Sequence, residues 1–307
     1  MTTTTAERST GSNSFDLHSY LKYNKDKVDN ALKEVMKTYD CPSPLQEAML
    51  YSLAAGGKRL RPILVIAASN LNGSPACDPM PAACALEFVH TYSLIHDDLP
   101  AMDDDDFRRG KPTNHKVFGE ALAILAGDAL LTEAFTIISK AYGSEFPAIA
   151  AGVTAELASS AGAEGMVGGQ VLDTIATGNT PDIVEMERLH RMKTGALIKS
   201  ALLIGGIVGG VGPEKLDALE RYGLELGLAF QITDDLLDVT GDLVSLGKTP
   251  GSDERMNKPT YPKLLGIEAA RSLAAEVRDR AIDSLKSFGN NAEPLCAIAH
   301  YVVERSF

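Results

Sequence analysis

A chain of 307 residues, 45% hydrophobic and 23% charged, with no tryptophan, has ordinary globular composition and enough apolar content for a sizeable core. Its net charge of −12 argues against nucleic acid and anionic membrane, so any phosphate must be held by local basic clusters working against the global field. Cys41, Cys77, Cys84 and Cys296 are scattered, with no CxxC and no His at metal spacing, and read as reduced thiols in a cytoplasmic protein.

Residues 1–14, rich in Thr and Ser, are expected to be a disordered tail, too poor in arginine for a convincing transit peptide. From residue 15 to 307 the chain reads as one all-α domain. Helical periodicity predicts about ten helices, at 14–38, 44–55, 60–71, 78–98, 116–142, 145–163, 181–208, 213–241, 263–287 and 292–305, with no clear strand. Such a bundle is long enough to enclose a deep cavity. The closest approach to a membrane span, 201–212, is broken by glycines and falls short of the ~20 apolar residues needed.

The first candidate site is Gly56-Gly57-Lys58-Arg59-Leu60-Arg61-Pro62. Glycines end one helix, Pro62 suits the first turn of the next, and a helix start flanked by three cations is a natural anion site. The following helix carries His90, Ser93 and Asp97 on one stripe, with Tyr92 five residues before Asp97. A lone His on a helix is more often a satisfied core residue, and only its alignment with Asp97 raises it.

Asp97-Asp98-Leu99-Pro100-Ala101-Met102-Asp103 opens an acidic run that places six carboxylates in ten residues and closes on Arg108 and Arg109. Like charges at this density repel unless cations sit among them. Hard divalent ions such as Mg²⁺ are the natural partners, completing their shell with substrate phosphates. Standing alone, the run is as easily a solvated loop. Asp97 and Asp103 would be about 120° out of register on an ideal helix. The residue before Pro100 avoids the helical region, so the helix is expected to break near Leu99 and to return Asp103 towards Asp97.

Ala121 to Leu131 is apolar nearly all round, which predicts a helix buried in the centre or against a second subunit. Gly168-Gly169-Gln170-Val171-Leu172-Asp173 sets two polar side chains near a flexible helix segment, and Lys193-Thr194-Gly195 puts a cation and a hydroxyl at an expected kink. In Gln231-Ile232-Thr233-Asp234-Asp235-Leu236-Leu237-Asp238, residues Gln231, Asp234 and Asp238 share one helix face. A polar row inside an apolar helix is costly to bury unless satisfied, which marks a site facing the first cluster. Lys248 and Lys258 lie on the loop that follows.

Taken in order, GGKRLRP (56–62), DDLPAMD (97–103) with RRG (108–110), GGQxxD (168–173), KTGALI (193–198) and QITDDLLD (231–238) resemble the trans-isoprenyl diphosphate synthases, most nearly the bacterial farnesyl diphosphate synthases. The likeness runs from about residue 15 to Tyr301. It implies an all-α fold around a deep cavity, with both acidic motifs at its mouth. Asp97, Asp98, Asp103, Asp234, Asp235 and Asp238 would hold three Mg²⁺ ions, with Mn²⁺ as a substitute, and clamp an allylic diphosphate. Arg108, Lys193, Thr194, Gln231, Lys248 and Lys258 match positions that touch that substrate. Lys58, Arg61, His90, Arg109 and the backbone of Gly57 match an isopentenyl diphosphate pocket. The resemblance also implies a homodimer, and it assigns the cavity floor to Tyr92 and Ser93. The bulk of Tyr92 points to a C15 product. Pro259 departs from the small polar residue usual in relatives and puts the role of Lys258 in question.

Four other readings remain in view. A geranylgeranyl synthase would differ only at the floor. A terpene cyclase would lack the full Asp234/Asp235/Asp238 set. An HD-type phosphohydrolase, suggested by His96-Asp97, needs further His ligands that His90 and His115 do not supply persuasively. A non-catalytic subunit of a heteromeric synthase would be expected to lose aspartates that are present here.

Overall fold

The computed structural model describes residues 15–176, 183–240 and 260–304. It is all-α apart from one two-residue-strand hairpin. The helices are α1 (Leu17–Lys37), α2 (Ser43–Leu53), α3 (Leu60–Ser69), α4 (Met80–Asp97), α5 (Asn114–Phe118), α6 (Glu120–Tyr142), α7 (Pro147–Ala161) and α8 (Met166–Ala176). They continue as α9 (Ile183–His190), α10 (Ala196–Val208), α11 (Pro213–Thr240), α12 (Tyr261–Leu265), α13 (Ile267–Ser284) and α14 (Glu293–Glu304). A π turn, Arg191–Gly195, joins α9 to α10, and a 3₁₀ segment, Lys286–Ala292, leads into α14.

Every predicted helix is present, but three are divided where glycine or π geometry breaks the ladder. Gly119 (φ +84°) separates α5 from α6, Gly266 (φ +83°) separates α12 from α13, and the π turn interrupts the predicted 181–208 helix. α8 spans the flexible helix segment at Gly168-Gly169, which lies outside the ten predicted ranges because a glycine pair weakens the helical signal. The hairpin pairs β1 (Phe107–Arg108) with β2 (Lys111–Pro112). Its two-residue turn, Arg109 (φ +55°) and Gly110 (φ +76°), has the positive-φ pair that matches strand twist. Strands this short carry no periodicity, which is why the sequence hid them.

α3, α4 and α10 form the centre. Eight successive residues of α3, Pro62–Ser69, are buried, and eleven of α4's eighteen. Gly205 lets α10 approach α3 closely, because a Cβ there would lie 2.6 Å from that of Ala68. Among the described residues α6, rather than 201–212, is the helix long and apolar enough to cross a membrane, with mean hydropathy 1.8. It packs along α4 through Ala123, Ala126, Leu130 and Ala134. Of the two expected settings, the centre of the chain covers only one face: Ile124 is 43% and Leu125 56% exposed on the other.

Candidate active site

α4 stops at Asp97, and the chain turns back on itself before the acidic run. The Leu99 amide donates to the His96 carbonyl at 3.2 Å, that of Met102 to Leu99 at 2.8 Å, and that of Asp103 to Asp97 at 2.9 Å. This is the break expected from Pro100, and it returns Asp103 beside Asp97. Burial pushes the Asp97 carboxyl up to about 6; the charges of Asp103 and Asp98 add to this, while Lys193 and Arg108 oppose it. Carboxylate oxygens gathered at one place suit a hard divalent cation, so Mg²⁺ fits these residues in donor chemistry. Among the described residues no three acidic, His or Cys side chains already converge as a metal cage.

Asp98 faces elsewhere. It is 3% exposed, and Arg108 grips its Oδ1 through Nε at 2.7 Å and Nη2 at 2.5 Å. Burial raises its pKa, and the bond from Arg108 lowers it. Both side chains line a small recess of about 30 Å³ beside Thr113 and Asn114. Both bonds from Arg108 end on Oδ1, so the guanidinium fixes the orientation of a carboxylate expected to hold metal.

A larger cavity of about 510 Å³ opens below Asp97. Its walls include Tyr92, Ser93 and His96 from α4, Met166, Val167, Gln170, Val171, Thr174 and Ile175 from α8, and Lys193 and Thr194 from the π turn. Arg61, His90 and Met102 line it as well. The π turn is held by close backbone contacts: a Cβ at Gly169 would lie 2.6 Å from the Lys193 Cα, and one at Gly227 3.0 Å from the Gly195 Cα. Such π bulges often mark functional positions. Here the bulge presents Lys193, whose Nζ meets Asp173 Oδ2 at 2.5 Å. The Gln170 amide oxygen is buried at the cavity with no hydrogen-bond partner in the structure.

The basic turn behaves differently from its sequence reading. Arg59 adopts a left-handed conformation (φ +51°) and points inward, only 4% exposed. It donates to Asp29 at 2.8 Å, to Glu87 at 2.5 Å and to the Leu53 carbonyl, tying α1, α2 and α4 together. Two of the three expected anion-binding cations remain, Lys58, which is exposed, and Arg61. Arg61 Nη1 donates to His90 Nε2 at 3.4 Å, which places the imidazole proton on Nδ1, while the Arg61 Nε is buried without a partner. Burial holds His90 well below 6.5, and Arg61, Arg109, Arg108 and Arg59 reinforce this, so the ring is neutral. Arg109 donates to the Gly56 carbonyl, and its guanidinium occupies the space a Gly57 side chain would need, 2.5 Å from the ideal Cβ. Gly57 also has φ +119°, which only glycine adopts readily.

Burial lowers the Arg61 pKa, and Glu87 and, more weakly, Asp234 on α11 act against this, so the second acidic cluster lies within electrostatic reach of a residue that lines the same cavity as Asp97. Asp235 is 3% exposed; it accepts from Gln231 Nε2 at 2.9 Å and from the Tyr261 amide at 3.0 Å. Gln231 and Asp235, expected at the substrate and metal, bond to each other along α11, and Asp235 also reaches α12 through the Tyr261 amide. Asp238 is also buried. Lys248 and Lys258 lie outside the described residues. Gln170, Asp173 and His96 were not selected from sequence; the first two stood in a noticed motif, and the third was weighed only as half of an HD pair.

The polyprenyl synthetase family profile matches residues 42–291. A chloroplastic geranylgeranyl pyrophosphate synthase of Capsicum annuum is 47% identical over 293 residues, covering 95% of this chain and 79% of its own. A farnesyl diphosphate synthase of Geobacillus stearothermophilus is 43% identical over 290 residues, covering 94% and 98%. The solved structure of an FPP/GFPP synthase from Zymomonas mobilis superposes with a TM-score of 0.82 at 40% identity, covering 94% of this chain and 98% of that one.

Proposed function

The chain belongs to the polyprenyl synthetase family, and on that footing we propose that it condenses isopentenyl diphosphate with dimethylallyl and then geranyl diphosphate, releasing (2E,6E)-farnesyl diphosphate and diphosphate. The prenyltransferase activity follows from the family. Product length is the part that rests on the site, and the observation that carries it is Tyr92 in the wall of the 510 Å³ cavity, five residues below Asp97.

The allylic diphosphate is held at the cavity mouth by Lys193, Thr194 and Gln170, with its hydrocarbon chain directed downward along α8. Mg²⁺ held by Asp97 and Asp103 from one side, and by Asp234 and Asp238 from the other, would neutralise the leaving diphosphate. Lys193, kept in place by Asp173, adds a fixed positive charge where negative charge develops on the leaving oxygen. The apolar walls exclude water from the allylic cation left when the C–O bond breaks. Lys58, Arg61, Arg109 and neutral His90 hold the second diphosphate, so that the isopentenyl double bond attacks that cation. The proton then lost goes to the released diphosphate, and no protein nucleophile takes part.

Incubation with isopentenyl diphosphate and each allylic starter, with and without Mg²⁺, followed by sizing of the dephosphorylated products, tests this reading. A Mg²⁺-dependent C15 product is expected; a C20 product would support the geranylgeranyl reading, which the small Ser93 beside Tyr92 and the Capsicum relative's name favour. The exposed Ile124 and Leu125 of α6 support a homodimer, and the scattered cysteines support a cytoplasmic setting.

A further inference from the structure

His96 lies one turn beyond Tyr92 on α4, and both side chains line the cavity. Their rings meet edge to face, with centroids 5.7 Å apart and planes at 82°. The imidazole leaves the cavity wall and enters a notch in α6. There its Nε2–H donates to the Ile124 carbonyl at 3.1 Å, and the Asp128 carboxylate stands 3.9 Å from the same nitrogen. The notch exists because residue 127 is glycine: an ideal Cβ would lie 2.5 Å from the imidazole Cδ2 and closer still to Nε2. Glycine inside a helix is destabilising relative to alanine, and Gly127 has ordinary helical backbone that needs no positive φ. The space it leaves for the imidazole is the structural reason for its presence.

We propose that His96 is a positioning residue for product length: anchored in the Gly127 notch, it braces the Tyr92 ring edge-on and fixes how far that ring closes the cavity. The inference rests on the chain-elongation reading above and adds to it the residue that holds the floor. With His96 engaged, Tyr92 cannot rotate towards α6, because the imidazole fills that space and is itself tied to the α6 backbone. Without it, Tyr92 gains room to swing aside and a growing chain can pass. Ser93, which donates to the His90 carbonyl at 2.9 Å, offers no comparable brace.

The test compares wild type, His96→Ala, Tyr92→Ala, Tyr92→Ala/His96→Ala and His96→Ala/Gly127→Ala, each given isopentenyl and geranyl diphosphates. Products are sized after dephosphorylation, and kcat and KM are read separately. His96→Ala is expected to move most of the product to chains at least one isoprene unit longer. If His96 acts through Tyr92, the Tyr92/His96 double variant gives the Tyr92→Ala distribution, because the brace has nothing left to hold. In the Gly127 double variant the alanine methyl fills the vacated notch, so it should fold at least as stably as His96→Ala and give the same products. An unchanged product length in His96→Ala beside an active wild type would overturn the proposal, whatever happens to turnover. So would a Tyr92/His96 double variant whose length gains simply add. Absence of any prenyl product from wild type would instead sink the functional reading, and the inference with it.

Discussion

Replacing Arg59 with alanine probes the part of the basic turn that departs furthest from its sequence reading. The Arg59 side chain is 2% exposed and that of Glu87 3%. Truncation leaves the Glu87 carboxylate buried without its cation, and removing one partner of such a pair costs about 3–5 kcal/mol. Asp29 is 22% exposed and keeps Lys25 at 2.5 Å, so its loss is screened and adds little. The left-handed backbone at position 59 is shared by wild type and variant and cancels. At about 2–4 °C per kcal/mol for a chain of this size class, the melting temperature should fall on the order of 10 °C. Replacing both Arg59 and Glu87 with methionine should recover most of that loss, because a well-packed apolar pair has no charge to desolvate. Thermal denaturation followed by circular dichroism reads both variants. A single variant that melts within about 2 °C of wild type, or a double variant no better than the single, would refute the claim that Arg59 and Glu87 tie the basic turn to α4.

Tyr92→Ala should lengthen the product by one or more isoprene units, read by chromatography of the dephosphorylated prenols; an unchanged distribution would dismiss Tyr92 as the floor. Gly169→Ala forces a methyl against the Lys193 backbone, which no rotamer change can vacate. Overpacking of about 1–3 kcal/mol should appear as a displaced π turn and a kcat lowered about tenfold, with the KM for isopentenyl diphosphate nearly unchanged. His90, held neutral, makes the folded chain bind fewer protons than the unfolded one below pH 6.5. Its contribution is therefore whole above that pH and is lost as the pH falls. His90→Gln should remove up to about 1.4 kcal/mol per pH unit of slope from the stability profile, measured by urea denaturation; identical slopes would count against a buried neutral ring.

The fold class and the helix positions were legible because apolar residues recur at helical spacing across nearly the whole chain. The break after α4 was legible too, since Pro100 acts through local sterics that sequence states directly. Orientation was not. Lys58, Arg59 and Arg61 look alike as a string, yet Arg59 turns into the protein because Asp29 and Glu87, contributed by α1 and α4, await it there. The notch at Gly127 is equally non-local, since nothing near that residue announces an imidazole arriving from another helix. For α6, composition alone does not say which apolar face the chain's own fold covers.

The doubled aspartates acquire a physical reason from this arrangement. Adjacent residues on a helix point about 100° apart, so two neighbouring carboxylates on α11, or at the end of α4, cannot both face one cavity. In each pair one member is claimed by the scaffold: Asp98 by Arg108, and Asp235 by Gln231 and the Tyr261 amide. Of their neighbours, Asp97 lies in the cavity wall, and Asp234 is within electrostatic reach of Arg61. Lys193 and Asp173 repeat the division on a smaller scale, with the carboxylate fixing the cation that faces the ligand space. A single carboxylate at each place would have to choose between binding a ligand and anchoring the segment that carries it. A pair would separate the two tasks, the tethered member anchoring its segment and its neighbour left for the metal proposed above.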